Sequence, residues 1–226
     1  LILCSQEQQM REESAPMYTL FYSPGSASMA PHAVLEEIGV PYLLKRVDIS
    51  SDKPRDPEYL KLNPLGRVPT LVVTGGETIY ESAAIVMYLA DRHSEAKLAP
   101  ALTDPQRGLY TQWMFHLTNT LQDAYLLYFY PDRNTTQPEQ APGIRDKAVA
   151  RVDTIWGNLD QALARRGPYL LGDRFSAADI YMHMLYCWHE PPATLAAAFP
   201  AVKRCAELVG QRPPVKRMLG QNDMAA

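Results

Sequence analysis

The chain has 226 residues, 46% apolar and 21% charged, which excludes disordered and fibrous classes and leaves room for one large or two small ordered domains. Twenty-two basic residues against 25 acidic ones give a net charge of −3, against a nucleic-acid partner, which needs a clustered basic face. No apolar run approaches the roughly 18 residues of a spanning helix, so no membrane partner is expected. Cys4, Cys187 and Cys205 are odd in number and lack any CxxC pair. They offer neither a zinc knuckle nor a dithiol centre and fit a cytoplasmic setting. Residues 1–16 (LILCSQEQQMREESAP) read as a tail outside the domains.

From Met17 short strands and helices alternate. MYTLFY (17–22) is β-rich and ends at Ser23-Pro24-Gly25; APHAVLEEIG (30–39) reads as a helix stopped by Gly39 and Pro41; YLLKRV (42–47) closes a βαβ unit. Asp56-Pro57 caps a short helix, PEYLKL, and TLVV (70–73) and TIY (78–80) make a hairpin across Thr74-Gly75-Gly76-Glu77. A helix follows from about Glu81 to His93. Glu36-Glu37 is expected to be a solvated helix face. Beyond a linker at 94–103 the pattern becomes helical: Tyr110, Trp113, Met114, Leu117 and Leu121 share one face, and Val149, Val152, Trp156, Leu159 and Leu163 another. Asn134 to Pro142 breaks the two. Ser176-Ala-Ala-Asp179 resembles a capping box before the apolar run IYMHMLYCW, with Asp179 a buried structural carboxylate. The expected fold is an α/β domain over 17–93 followed by an all-α helical domain over 104–220.

Three stretches of the first domain carry candidate chemistry. In YSPGSASMAPH (22–32), Ser26 and Ser28 sit at a helix start, where free N–H groups and the dipole favour an anion such as a thiolate; the plainer reading is an N-cap. In NPLGRVPTL (63–71), a cis Val68-Pro69 bond would expose the Val68 backbone to a peptide-like ligand, while an ordinary trans turn is the commoner case. In IYESAAIVMYLADR (79–92), Ser82 can offer its hydroxyl and N–H to a carboxylate, and Glu81 can meet an ammonium group. His183, Cys187 and His189 invite a metal reading, but a core role fits better and no metal is expected.

In this order, SPGS, NPLGRVPTL, IYESAAIVMYLADR and FSAADIYM resemble the glutathione transferase superfamily, its bacterial members most of all, from Met17 to about Leu219. The resemblance implies a thioredoxin-like N-terminal domain, an all-helical bundle domain, glutathione as co-substrate and a homodimer. It implies that Val68, with Pro69 cis, pairs with the cysteinyl part of glutathione, that Glu81 and Ser82 hold the γ-glutamyl end, and that Lys53 and Arg67 meet its carboxylates. Beta-class members resemble this chain through SPGxCSxAPH, with a cysteine where this sequence has Ala27 and a serine at Ser28; delta- and theta-like members carry the activating serine at Ser26. Tyr22 is a third candidate. Without the cysteine, thiol-transfer chemistry is disfavoured. The beta-class His-Lys pair is replaced by Gln122-Asp123, and the facing wall, from Tyr22, Trp113 and His116, implies a small hydrophobic electrophile. The implied activity is conjugation of the glutathione thiolate. The alternatives are a glutathione-dependent isomerase, dehalogenase or etherase, or a binding protein without turnover.

Overall fold

The computed structural model describes residues 17–50 and 54–224. In chain order the elements are β1 (Tyr18–Tyr22), α1 (Met29–Ile38), β2 (Tyr42–Arg46), α2 (Pro57–Leu62), β3 (Thr70–Val73), β4 (Thr78–Tyr80), α3 (Ser82–Arg92), α4 (Arg107–His116), α5 (Asp123–Phe129), α6 (Ala141–Arg166), α7 (Ala177–Cys187), α8 (Pro192–Ala198), α9 (Pro200–Gly210) and α10 (Pro213–Gln221). The described residues form two compact units: those up to Leu89 together with those from Pro214 onward, and Ala90–Pro213.

In the first unit the sheet order is β2-β1-β3-β4. β1 and β2 are parallel, which requires a crossover, and α1 supplies it. β3 runs antiparallel to both β1 and β4. Leu20 stands opposite Leu44 on one side and Leu71 on the other, and Tyr18, Leu20 and Leu71 are wholly buried. α1 buries every residue from Met29 to Leu35 and ends at Gly39, whose positive φ of 77° lets its N–H return to the Leu35 carbonyl at 2.9 Å. Asp56 caps α2 by accepting from the Glu58 N–H at 2.9 Å, with Pro57 in the first turn.

The last helix packs on α1. His32 is fully buried; its Nε2 lies 2.7 Å from Gln221 Oε1 and 3.0 Å from the Tyr42 hydroxyl, and its Nδ1 lies 3.1 Å from Asn222 Nδ2. Arg217 Nε donates to Glu36 Oε2 at 2.6 Å, and the Tyr42 hydroxyl donates to Glu36 Oε1. Glu36 is therefore no solvated face: its side chain is only 11% exposed, because its partners arrive from 6 and 181 residues away.

In the second unit, α6 buries Ala148, Val152, Ile155, Trp156, Leu159 and Leu163. Val149, expected on that stripe, is 39% exposed; Ala148 takes the inward position instead. α4 and α5 are joined by a π-helical segment, Leu117–Gln122, a wider turn that interrupts the α-helical spacing read from the sequence. Trp113, placed on the Tyr110–Leu121 face, is half-buried while Tyr110, Met114, Leu117 and Leu121 are fully buried. Ser176 opens α7 in extended conformation, and its backbone N–H and hydroxyl donate to Asp179 Oδ2 at 2.8 and 3.0 Å. The Leu170 N–H donates to Asp179 Oδ1 at 2.8 Å. Among the described residues no helix is long and apolar enough to cross a membrane.

Candidate functional site

Strand register gathers the three candidate stretches at one end of the sheet. Thr70 faces Phe21 on β1 and Tyr80 on β4, so Val68-Pro69, the turn after Tyr22 and Glu81-Ser82 all leave the sheet at that end. A direct bond confirms the convergence: the Ser82 hydroxyl donates to the Ala27 carbonyl at 2.6 Å across 55 residues. Ser82 is 5% exposed and its hydroxyl is engaged, so what it leaves open at the start of α3 is its backbone N–H.

The two serines of the first turn differ in access. Ser28 is wholly buried, with its hydroxyl 3.0 Å from the Ser23 carbonyl. It stands at the N-cap position of α1 with helical dihedrals and makes no side-chain cap bond, so the N-cap reading does not hold for it in the usual sense. Ser26 is half-buried; its Oγ lies 2.7 Å from the Ser23 carbonyl and 2.7 Å from Ser28 Oγ. Two hydroxyl protons face three acceptor contacts, so one proton can be redirected without leaving either oxygen unpaired. Ala27, between them, presents no thiol.

The Val68-Pro69 peptide bond is cis. The two carbonyls that precede Val68 in sequence are held from within. The Gly66 carbonyl accepts from Arg55 Nε at 2.9 Å, and the Arg67 carbonyl accepts from the Tyr59 hydroxyl at 2.5 Å and Asn63 Nδ2 at 2.9 Å. Tyr59 and Asn63 are 4% and 1% exposed and also meet Thr70 Oγ1, at 2.9 and 3.1 Å; burial raises the Tyr59 phenol above its ordinary pKa, keeping it a donor. Among the described residues the Val68 N–H and C=O take no partner, which leaves one residue's backbone edge open. Sequence reasoning passed over Tyr59, Asn63 and Thr70. The available signal was an asparagine opening a Pro-Leu-Gly turn directly before Val-Pro, since a buried amide there must bond to something.

Glu81 is exposed and holds a left-handed φ of 73°, a conformation that costs a non-glycine residue about 1 kcal/mol or more. Arg67 is exposed, with no ion pair among the described residues. Lys53 lies outside the described residues.

In the first unit Tyr22 is half-buried and edge-on to His32 at 6.1 Å. In the second, Trp113 and His116 stack edge to face at 5.6 Å; burial lowers the His116 pKa, keeping the ring neutral, and Trp113 Nε1 is buried without a hydrogen-bond partner among the described residues. Gln122 and Asp123 are both spoken for: Gln122 Oε1 accepts from the Tyr181 hydroxyl at 2.5 Å, and Asp123 pairs with Arg151 at 3.1 Å. His183 Nε2 and Cys187 Sγ lie 3.7 Å apart, but burial drives the imidazole pKa down to about 4 and the thiol up to about 11, the reverse of a reactive thiolate-imidazolium pair. Among the described residues no group of three His, Cys, Asp or Glu is placed to hold a metal ion.

Comparison with known proteins bears on the family and fold that carry these residues. Residues 16–91 match the family described as Glutathione S-transferase, N-terminal domain, and residues 119–222 match Glutathione S-transferase, C-terminal domain. Glutathione S-transferase GstA of Escherichia coli O157:H7 is 26% identical over 88% of this chain and 96% of its own. A sphingomonad glutathione S-transferase complexed with glutathione is 32% identical, covering 92% of this chain and 100% of its own at a TM-score of 0.78. A glutathione transferase homologue from Sulfitobacter with bound glutathione is 27% identical, covering 93% and 100% at a TM-score of 0.82. With both domain patterns matched in order and a full-length structural relative above 30% identity, this chain belongs to the glutathione S-transferase family, with a thioredoxin-like domain followed by a helical one.

Proposed function

We propose that this chain conjugates the glutathione thiolate to a small hydrophobic electrophile, with Ser26 as the thiolate's hydrogen-bond donor. The open peptide edge at Val68, at the same end of the sheet as the Ser26 turn, is the observation that carries the reading. Such an edge suits the cysteinyl unit of glutathione. The Ser82 N–H and the Glu81 carboxylate suit the carboxylate and ammonium of its γ-glutamyl end, and Arg67 and Lys53 its remaining carboxylate. The left-handed Glu81 fits that role, since strained backbone persists where a site uses it.

Access favours Ser26 over Ser28, which is sealed from solvent. When a sulfur anion arrives, the Ser26 proton turns from the Ser23 carbonyl to the sulfur. Ser28 can then donate to Ser26 Oγ across 2.7 Å, while the Ser23 carbonyl keeps the Ser26 N–H at 3.3 Å. The exchange strengthens the donor facing the thiolate and orphans no buried group. Glutathione itself supplies the nucleophilic sulfur. Its thiol pKa is near ~8.5, and a charge-assisted hydrogen bond of about 1.5–3 kcal/mol lowers it by about one to two units. The aromatic residues Tyr22, Trp113 and His116 suit an apolar second substrate, and a cytoplasmic homodimer is part of the same reading.

The test is the ultraviolet thiolate absorbance of bound glutathione titrated between about pH 5 and 9. Wild type should show a lowered thiol pKa. Ser26→Ala should raise it by about one to two units and cut turnover about 10- to 100-fold, with binding largely kept. Full activity in Ser26→Ala would remove Ser26 from the mechanism. Saturable binding without a thiolate signal in wild type would favour a binding protein.

A further inference from the structure

Among the described residues, Arg55 spends its guanidinium on main-chain carbonyls alone. Nε donates to Gly66 at 2.9 Å, one terminal nitrogen to Ser50 at 2.7 Å and more weakly to Asp48 at 3.4 Å, and the other to Ile49 at 2.7 Å. Among the described residues it has no carboxylate partner. This is an unusual use of an arginine, whose planar fork normally meets a carboxylate or phosphate. It joins two segments with no hydrogen-bonded ladder between them: the stretch after β2, which leads toward Lys53, and the Gly66-Arg67-Val68 turn.

The turn is shaped to receive it. Gly66 has a φ of +61°, and a side-chain carbon there would stand 3.0 Å from Arg55 Cγ and 3.2 Å from Leu60 Cδ2. Only glycine combines that backbone with the arginine's approach. Tyr59 and Asn63 hold the Arg67 carbonyl from the other side. Gly66 and Arg67 carbonyls are thus both fixed while the Val68 edge stays free, and Arg55 is the element of this brace that also reaches the 48–50 segment.

We infer that Arg55 is a positioning residue for peptide-thiol recognition: it fixes the 48–50 segment against the Gly66 turn, so that the Val68 edge is preorganised for its ligand. The inference rests on the proposed glutathione reading of Val68. Preorganisation by a residue that never touches the ligand acts on affinity, because the flexible turn must otherwise be ordered on binding. It leaves the thiolate donor at Ser26 untouched.

Full-length wild type, Arg55→Gln and Arg55→Lys are titrated with glutathione by calorimetry, and the thiol pKa of the bound ligand is read from thiolate absorbance at saturation. Arg55→Gln should weaken glutathione binding about 10-fold or more while the bound thiol pKa stays at the wild-type value. Arg55→Lys should rescue little, because a point ammonium cannot span carbonyls on two segments. Wild-type affinity in Arg55→Gln, or full rescue by Arg55→Lys, would overturn the inference. So would an unchanged affinity accompanied only by a lower Tm, which would make Arg55 a stability residue. Should Arg55→Gln fail to fold, the lysine variant, which keeps the charge and stem, carries the same test. If wild type itself binds no glutathione, the functional reading fails before any variant is made, and that result is separate from an Arg55 effect.

Discussion

Two serine-marked helix starts, one in each unit, use the same residue type to opposite ends. At α7, Ser176 is extended, and its N–H and hydroxyl close on Asp179, which also collects the Leu170 N–H; every group is buried and satisfied. At α1, Ser28 is helical and uncapped, no acidic residue lies in the first turn, and the two hydroxyls face one shared carbonyl and each other, with two protons for three contacts. The first start neutralises its dipole internally and serves folding. The second leaves the positive end of a helix without an internal anion, beside a half-buried hydroxyl and an open peptide edge. A fold tolerates one such incomplete start when a ligand completes it.

The comparison breaks most visibly at Asp179. Asp179→Ala strands the Leu170 and Ser176 donors in the core and should destabilise the protein by about 3–5 kcal/mol in denaturant unfolding; a loss below about 1 kcal/mol would mean that the capping box is not the closed device described. A pH series sharpens the same point. Burial pushes the Asp179 carboxyl up to about 6 from 3.8, outweighing the pull of its hydrogen-bond donors. Between those values the native state holds a proton that the unfolded chain has released. The carboxyl's contribution is therefore complete below the unfolded value and is lost as pH rises through about 6, by about 2–3 kcal/mol. The stability difference between wild type and Asp179→Asn should shrink over that range; a difference that grows with pH would show that the donors outweigh burial.

A paired substitution sets the two starts side by side. Ser176→Ala should cost about 1–2 kcal/mol of stability, whereas Ser26→Ala should change stability by less than about 0.5 kcal/mol while losing the thiolate signal. Equal costs at both positions would erase the distinction. A small gain is expected at Glu81: replacing it with glycine relieves the left-handed strain and should stabilise by a few tenths to about 1 kcal/mol, yet weaken glutathione binding measured by calorimetry. Tighter binding in Glu81→Gly would remove Glu81 from the ligand's ammonium end.

Much of the architecture was legible because it is written in local chemistry. Asp56-Pro57, Gly39, the Gly75-Gly76 hairpin and the Ser176–Asp179 box each act within a few residues, and each does in the structure what its spacing implies. The same locality misled at Val149 and Glu36. Helical spacing allowed Val149 to face inward, but the packing of α6 chose Ala148; Glu36 read as solvated because neither Tyr42 nor Arg217 is near it in sequence. The π-helical Leu117–Gln122 segment departs from the 3.6-residue period on which the reading depended.

For the site, sequence determined which residues could serve: a hydroxyl-rich turn, a Val-Pro pair and a Glu-Ser helix start, in the order that marks the family. Tertiary structure decided which atoms remain available. Sheet register brought the three stretches to one end, burial sealed Ser28 and left Ser26, the Ala27 carbonyl occupied the Ser82 hydroxyl, and Arg55, Tyr59 and Asn63 filled the carbonyls around Val68 but not its own. The physical reason is that a hydrogen-bonding group is free for a ligand only if nothing closer satisfies it, and the groups that close the carbonyls before Val68 and the Ser82 hydroxyl lie 4 to 55 residues away along the chain.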